Sequence, residues 1–148
     1  MTAPLKTTFE VACSADHAFS VWTSRIATWW PPDHTVSGRP GLIVLQGVVG
    51  GRIFERAEDG VEHEWGEVTH WQPPSRLGYL WHLGGDRTVA TEVDIRFVSQ
   101  GATATRIEIE HSGWERLGPA GDAWRKRNRA GWDSLIPHFT AVVTKGEP

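Results

Sequence analysis

TVATEVDIRFVSQGATATRIEIEH, residues 88–111, is the stretch whose reading decides the fold. Val93, Ile95 and Phe97 alternate with Glu92, Asp94 and Arg96; Ile107, Ile109 and His111 alternate with Arg106, Glu108 and Glu110. Ser99-Gln100-Gly101 supplies the turn between the two runs. Neighbouring strands with one apolar and one charged face predict an antiparallel sheet, wet on one side and covered on the other. The covered side needs an apolar partner.

Upstream, turn signals at Gly50-Gly51, Asp59-Gly60, Pro73-Pro74 and Gly84-Gly85-Asp86 cut the chain into further strands near 42–48, 52–57, 62–71 and 76–83. The strand that carries Phe97 spans about 88–98, and the next spans about 102–111. Residues 4–13, PLKTTFEVAC, alternate too, with Leu5, Thr7, Phe9, Val11 and Cys13 on one face. Ser14 is then a helix cap, its hydroxyl available to the free N–H groups and Asp16 placed at the positive end of the dipole. Ala15, Phe19 and Trp22 repeat at helical spacing, and a second short turn carries Ile26, Trp29 and Trp30 before Pro31-Pro32 stops it.

Downstream, Gly118-Pro119-Ala120-Gly121 breaks the chain before a helix from about Asp122 to Val143. Trp124, Asn128, Gly131, Trp132, Leu135, Phe139 and Val142 form its apolar stripe, the partner the sheet needs. A glycine inside a helix costs about 1 kcal/mol against alanine, so Gly131 predicts a close approach to the sheet. Pro137 predicts a kink, because it removes a backbone bond to residue 133. The order is strand, two short helices, six strands, long helix: an α+β chain read as one domain over residues 1–148.

Nine tryptophans in 148 residues say more. An indole buries a large apolar area yet carries an N–H that wants a partner. So many of them in a small domain predict a cavity between the curved sheet and the helix. The formal charge of −3 argues against phosphate-backbone binding. Arg125, Lys126, Arg127 and Arg129 spread around the helix as a solvated face, so nucleic acid is not an expected partner. The single cysteine, Cys13, forms no internal disulfide and fits a reducing cytoplasm; residues 1–20 lack a signal-peptide pattern. No apolar run approaches the roughly 20 residues of a membrane span.

GGRIFER at 50–56, Asp59-Gly60, WGEV at 65–68, PPSRL at 73–77, HSGW at 111–114 and Gly131-Trp132 together resemble the START-like, or SRPBCC, superfamily. Within it they resemble the branch homologous to the C-terminal domain of the activator of the ninety-kilodalton heat-shock protein's ATPase. The resemblance runs from about Thr7 to Val143. It implies a helix-grip fold, with the sheet wrapped around the C-terminal helix over a deep pocket. It also implies a chaperone as a partner, by likeness to the eukaryotic activator, which carries a second domain.

The candidate pocket residues are Glu55, Trp65, Glu67, Tyr79, Trp81, Phe97, His111, Trp114 and Trp132. His111 shares a face with Ile107 and Ile109, so it either serves a ligand as hydrogen-bond or acid/base group, or is satisfied by a neighbouring carbonyl. Glu55 and Glu67 lie on paired strands. Either both point into the chamber, where at least one carboxyl pKa rises, or they face solvent or pair with Arg52, Arg56 or Arg76. Trp81 and Trp114 are cavity wall or core, Trp132 core beside Gly131, and Trp29-Trp30-Pro31-Pro32 either gates an entrance or simply ends a helix.

His63, His70 and His82 show no metal-ligand spacing, and no phosphate-cradling loop or nucleophile elbow is present, so no metal, cofactor or catalytic residue is assigned. The expected function is binding of a small apolar, aromatic or lipid-like ligand by a monomer or homodimer. The alternatives are an enzyme of the same fold using acid/base chemistry (cyclase, dehydratase or hydrolase type) and a stress-related co-chaperone.

Overall fold

The computed structural model describes residues 3–145. Seven strands, β1 (Leu5–Val11), β2 (Pro40–Leu45), β3 (Arg52–Ala57), β4 (Glu62–Gln72), β5 (Arg76–Trp81), β6 (Thr91–Ser99) and β7 (Thr105–Ser112), form one sheet in the order β1-β7-β6-β5-β4-β3-β2. Every pairing is antiparallel. Helix α1 (Ala15–Trp22) follows β1, and the long helix α2 (Gly121–Lys145) follows β7 through a 3-10 segment at Trp114–Ala120. The α+β helix-grip architecture read from the sequence is the one observed.

Local chemistry accounts for the elements. Ser14 caps α1, its hydroxyl accepting from the His17 N–H at 3.2 Å. Along β6 the buried residues Thr91, Val93, Ile95 and Phe97 alternate with less buried ones, and along β7 Thr105, Ile107, Ile109 and His111 do the same. The outer face carries ion pairs such as Arg76–Asp94 at 2.9 Å and Arg106–Glu108 at 2.9 Å. Such half-exposed pairs contribute little to stability but keep that face in water.

The strand ends differ from the sequence expectation where turns intrude. β2 stops at Leu45 because Gln46 to Gly51 closes on itself, with Val48 N–H donating to the Gln46 carbonyl at 2.9 Å. Val48 and Val49 stand 56% and 62% exposed in that turn rather than in a strand. β5 ends at Trp81, two residues early, because Leu83 and Gly84 both adopt positive φ. Residues 87–89 form a 3-10 turn, so β6 begins at Thr91.

The core occupies one end of the space between sheet and helices. Trp22 packs on Trp29 at 4.8 Å between ring centroids and on Phe139 of α2 at 4.8 Å, while Phe19 meets Phe97 at 5.2 Å. His17 ties α1 to the end of α2 through Nε2 and the Val143 carbonyl, 3.1 Å apart. α2 continues across Pro137 as a single helix.

Candidate functional site

At the other end of α2 the space is open. A cavity of about 640 Å³ lies between the first half of α2 and the far end of the sheet. Five parts of the chain wall it: Trp30 and Asp33 to Thr35 after α1, residues between Trp81 and Asp86 at the end of β5, Val89 and Thr91 at the start of β6, Trp114 with Leu117 after β7, and residues between Trp124 and Leu135 on α2. Five of the nine tryptophans, Trp30, Trp81, Trp114, Trp124 and Trp132, line it. A volume in the few-hundred Å³ range with apolar walls and few polar groups is the usual form of a small-molecule site.

Gly131 explains part of the opening. A Cβ built there meets nothing within 4 Å, because it points into the cavity. The close approach to the sheet expected from the sequence is therefore absent. The missing side chain leaves room for an occupant instead.

Of the sequence candidates, Trp81, Trp114 and Trp132 lie on the cavity wall. His111 does not; it sits fully buried behind them. Trp132 Nε1–H, which can only donate, lies 3.1 Å from His111 Nδ1, so that nitrogen is the acceptor and Nε2 carries the proton. Nε2 then donates to Thr91 Oγ1 at 2.7 Å, whose hydroxyl is 3.2 Å from the Trp81 carbonyl. Trp114 Nε1–H donates to the His111 carbonyl at 3.0 Å, and its ring lies 4.3 Å from the imidazole. Burial pushes the His111 pKa down to about 3, so the ring is neutral and poorly suited to catalysis by proton uptake near neutrality. It is a hub fixing three wall residues that come from β6, the 3-10 segment and α2.

The two glutamates part company. Glu55 is fully buried and its carboxylate accepts from Val36 N–H at 2.6 Å, Ser37 N–H at 3.2 Å, Ser37 Oγ–H at 2.6 Å and Trp65 Nε1–H at 2.9 Å. Burial alone raises its pKa, but these four donors outweigh it and the pKa falls below the ordinary carboxylate value. This is opposite to the rise expected of a carboxylate that lines the chamber. Glu55 clasps the loop that carries residues 36 and 37; it does not line the cavity.

Glu67 lies on the outer side and pairs with Arg87. Simple alternation along β4 would put Glu67 on the face of Trp65, but Trp65 is an extra residue in the ladder: Phe54 pairs with Glu64 and Ile53 with Gly66. A bulge of that kind shifts the alternation by one. Trp65, Tyr79 and Phe97 are core rather than wall.

The wall also holds groups that were not among the candidate pocket residues. Arg127 lies over the Trp124 ring at 4.5 Å, and the two are three residues apart on one helix face, a spacing visible in the sequence. Asp33 and His34 stand at the rim with Oδ1 and Nδ1 2.8 Å apart. The His82 ring also borders the cavity; its Nδ1 has no hydrogen-bond partner among the described residues, and burial lowers its pKa. No group of three metal-ligating side chains occurs among the described residues.

A curved antiparallel sheet gripping one long helix over a cavity is the architecture of START-like, or SRPBCC, proteins. The chain belongs to the family described as Activator of Hsp90 ATPase homolog 1-like protein, whose model matches residues 12–144. Among solved structures it is similar to the anthrahydroquino-gamma-pyrone synthase Txn09 complexed with SUM, with 35% identity over 81% of this chain and 82% of that one and a TM-score of 0.62. It is also similar to CalC, a self-sacrificing resistance protein from Micromonospora echinospora, with 27% identity over 96% and 94% of the two chains and a TM-score of 0.75. PFC0360w, an HSP90 activator from Plasmodium falciparum, shares the fold at 18% identity over 97% of each chain, with a TM-score of 0.70. No curated protein matches the chain.

Proposed function

We propose that this protein encloses a flat, largely apolar aromatic molecule in the cavity between α2 and the sheet. The observation that carries the reading is the wall itself: five indoles around about 640 Å³, with few polar side chains between them. Aromatic faces offer stacking and edge contacts worth about 0.5–1.5 kcal/mol per pair beyond burial. Trp132, Trp114 and Trp81 are held through His111 and Thr91, so the wall is built before a ligand arrives and little ordering cost is left for binding. Similarity to Txn09, a synthase found in complex with SUM, supports a small-molecule role over a scaffold role.

A thermal-shift screen of planar aromatic compounds tests this. A ligand at a hundredfold excess over its Kd stabilises the native state by about 2.7 kcal/mol, which raises Tm by several degrees in a chain of this size. Gly131→Phe fills the cavity from a position where added atoms meet open space, so it abolishes the shift while the fold persists. A shift of equal size in Gly131→Phe sinks the proposal.

Catalysis in the same cavity is the second reading. Similarity to a synthase favours it, as does the carboxylate–imidazole pair at the rim. The chaperone-activator reading draws only on the family description and on a shared fold. A reducing, cytoplasmic setting is consistent with a lone buried thiol at Cys13, whose pKa burial raises.

A further inference from the structure

We propose that His34 is a general base for the cavity, oriented by Asp33, and takes a proton from a weakly acidic C–H or phenolic O–H of a bound aromatic molecule. The proposal rests on the cavity reading above and gives that site a reaction class.

The geometry supplies a base and the group that orients it. His34 Nδ1 is 2.8 Å from Asp33 Oδ1, and at neutral pH the carboxylate can only accept, so the proton sits on Nδ1. Nε2 is then the basic nitrogen, and it makes no hydrogen bond to a described residue. The side chain is 23% exposed and borders the cavity, whereas Asp33 is 82% exposed on the solvent side. A base at an apolar wall, backed by a solvated carboxylate, can accept a proton from a bound molecule and return it to water.

The backbone beneath the pair is fixed. Trp30 Nε1–H, itself on the wall, donates to the His34 carbonyl at 2.9 Å, and His34 N–H donates to the Pro31 carbonyl at 3.1 Å. Thr35 Oγ–H donates to the Pro32 carbonyl at 2.6 Å. Pro31-Pro32 therefore does more than end a helical stretch, since it sets the turn that presents the imidazole.

Other charges bear on the pair from each neighbouring element. His138 of α2 is close enough to lower the Asp33 pKa slightly, after the larger effect of the His34 hydrogen bond. Arg127 borders the cavity from α2, and His82 and Asp86 border it from the β5–β6 loop. Arg127 can also meet the negative charge that deprotonation leaves on the substrate.

A nitrobenzisoxazole is a suitable probe: planar, aromatic and with one acidic C–H. His34 Nε2 would take that proton, the C–H electron pair would form the nitrile, and the N–O bond would break to leave a coloured cyanonitrophenolate. No oxidant or second substrate enters. Binding is read separately, by calorimetric titration with the unreactive benzoxazole isomer. The expected result is saturable binding, with turnover at least tenfold above that of free imidazole at equal concentration, following one ionisation. His34→Gln should lose that turnover and retain binding. Asp33→Asn should bind normally but move the pH profile and lower the rate, and Asp33→Glu should recover part of it. Binding with turnover unchanged in His34→Gln overturns the base while leaving the cavity reading intact. Absence of saturable binding removes the cavity reading and the base with it.

Discussion

His111 is the residue on which the cavity wall converges. Its ring accepts from Trp132, donates to Thr91 and packs at a tilt of 41° against Trp114. Because the folded pKa lies far below the ordinary histidine value, the unfolded chain binds the proton first as pH falls. Stability should therefore be flat above about pH 6.5 and drop as pH falls toward 3, at up to about 1.4 kcal/mol per unit. His82, also lowered, adds to the same slope. Urea titrations between pH 7 and 5 check this: His111→Gln should be less stable at pH 7 and have a shallower slope than the parent. An unchanged slope contradicts the buried neutral ring. Glu55 acts in a lower window, since its depressed pKa makes stability fall only as pH passes below the ordinary carboxylate value. Glu55→Gln replaces an acceptor of four bonds with a group that must also place two donors, and should cost about 1–3 kcal/mol by chemical denaturation at pH 7.

At the scale of elements, two glycines have opposite meanings. Gly66 sits in β4 where an added Cβ would lie 1.9 Å from the Leu80 carbonyl, so Gly66→Ala should destabilise strongly, with a fall in Tm or loss of the folded protein on expression. Gly131 has open space, and Gly131→Ala should stabilise the chain by about 1 kcal/mol through helix propensity, read as a raised denaturation midpoint. The sequence shows both as glycines in regular elements and does not tell them apart. Strand existence and order were legible, because alternation along β6 and β7 is set by the same burial that holds them in place. The faces of β4 were not. Parity counting assumes an unbroken ladder, and the bulge at Trp65 reverses it before Glu67. About a third of the wall came from connections, Asp33 to Thr35 and His82 to Asp86, which carry no periodicity to read. Of the named candidates, Trp81, Trp114 and Trp132 reached the cavity because large amphipathic rings are what such a wall is made of, whereas Glu55 and Glu67 were claimed by the fold.

For the molecule as a whole, the space beneath the helix is divided. The end holding Trp22, Phe139 and Val143 is solid, and the end holding Trp132 and Gly131 is hollow. Rings bridge the two: Trp22 to Trp29 at 4.8 Å, Trp29 to Trp30 at 5.3 Å, Trp30 to Trp81 at 5.7 Å. Indoles that close share electronic excitation among themselves. A coloured molecule lodged beside Trp81 would thus drain the emission of Trp22, a ring it never touches, and the protein would report its own cargo by going dark.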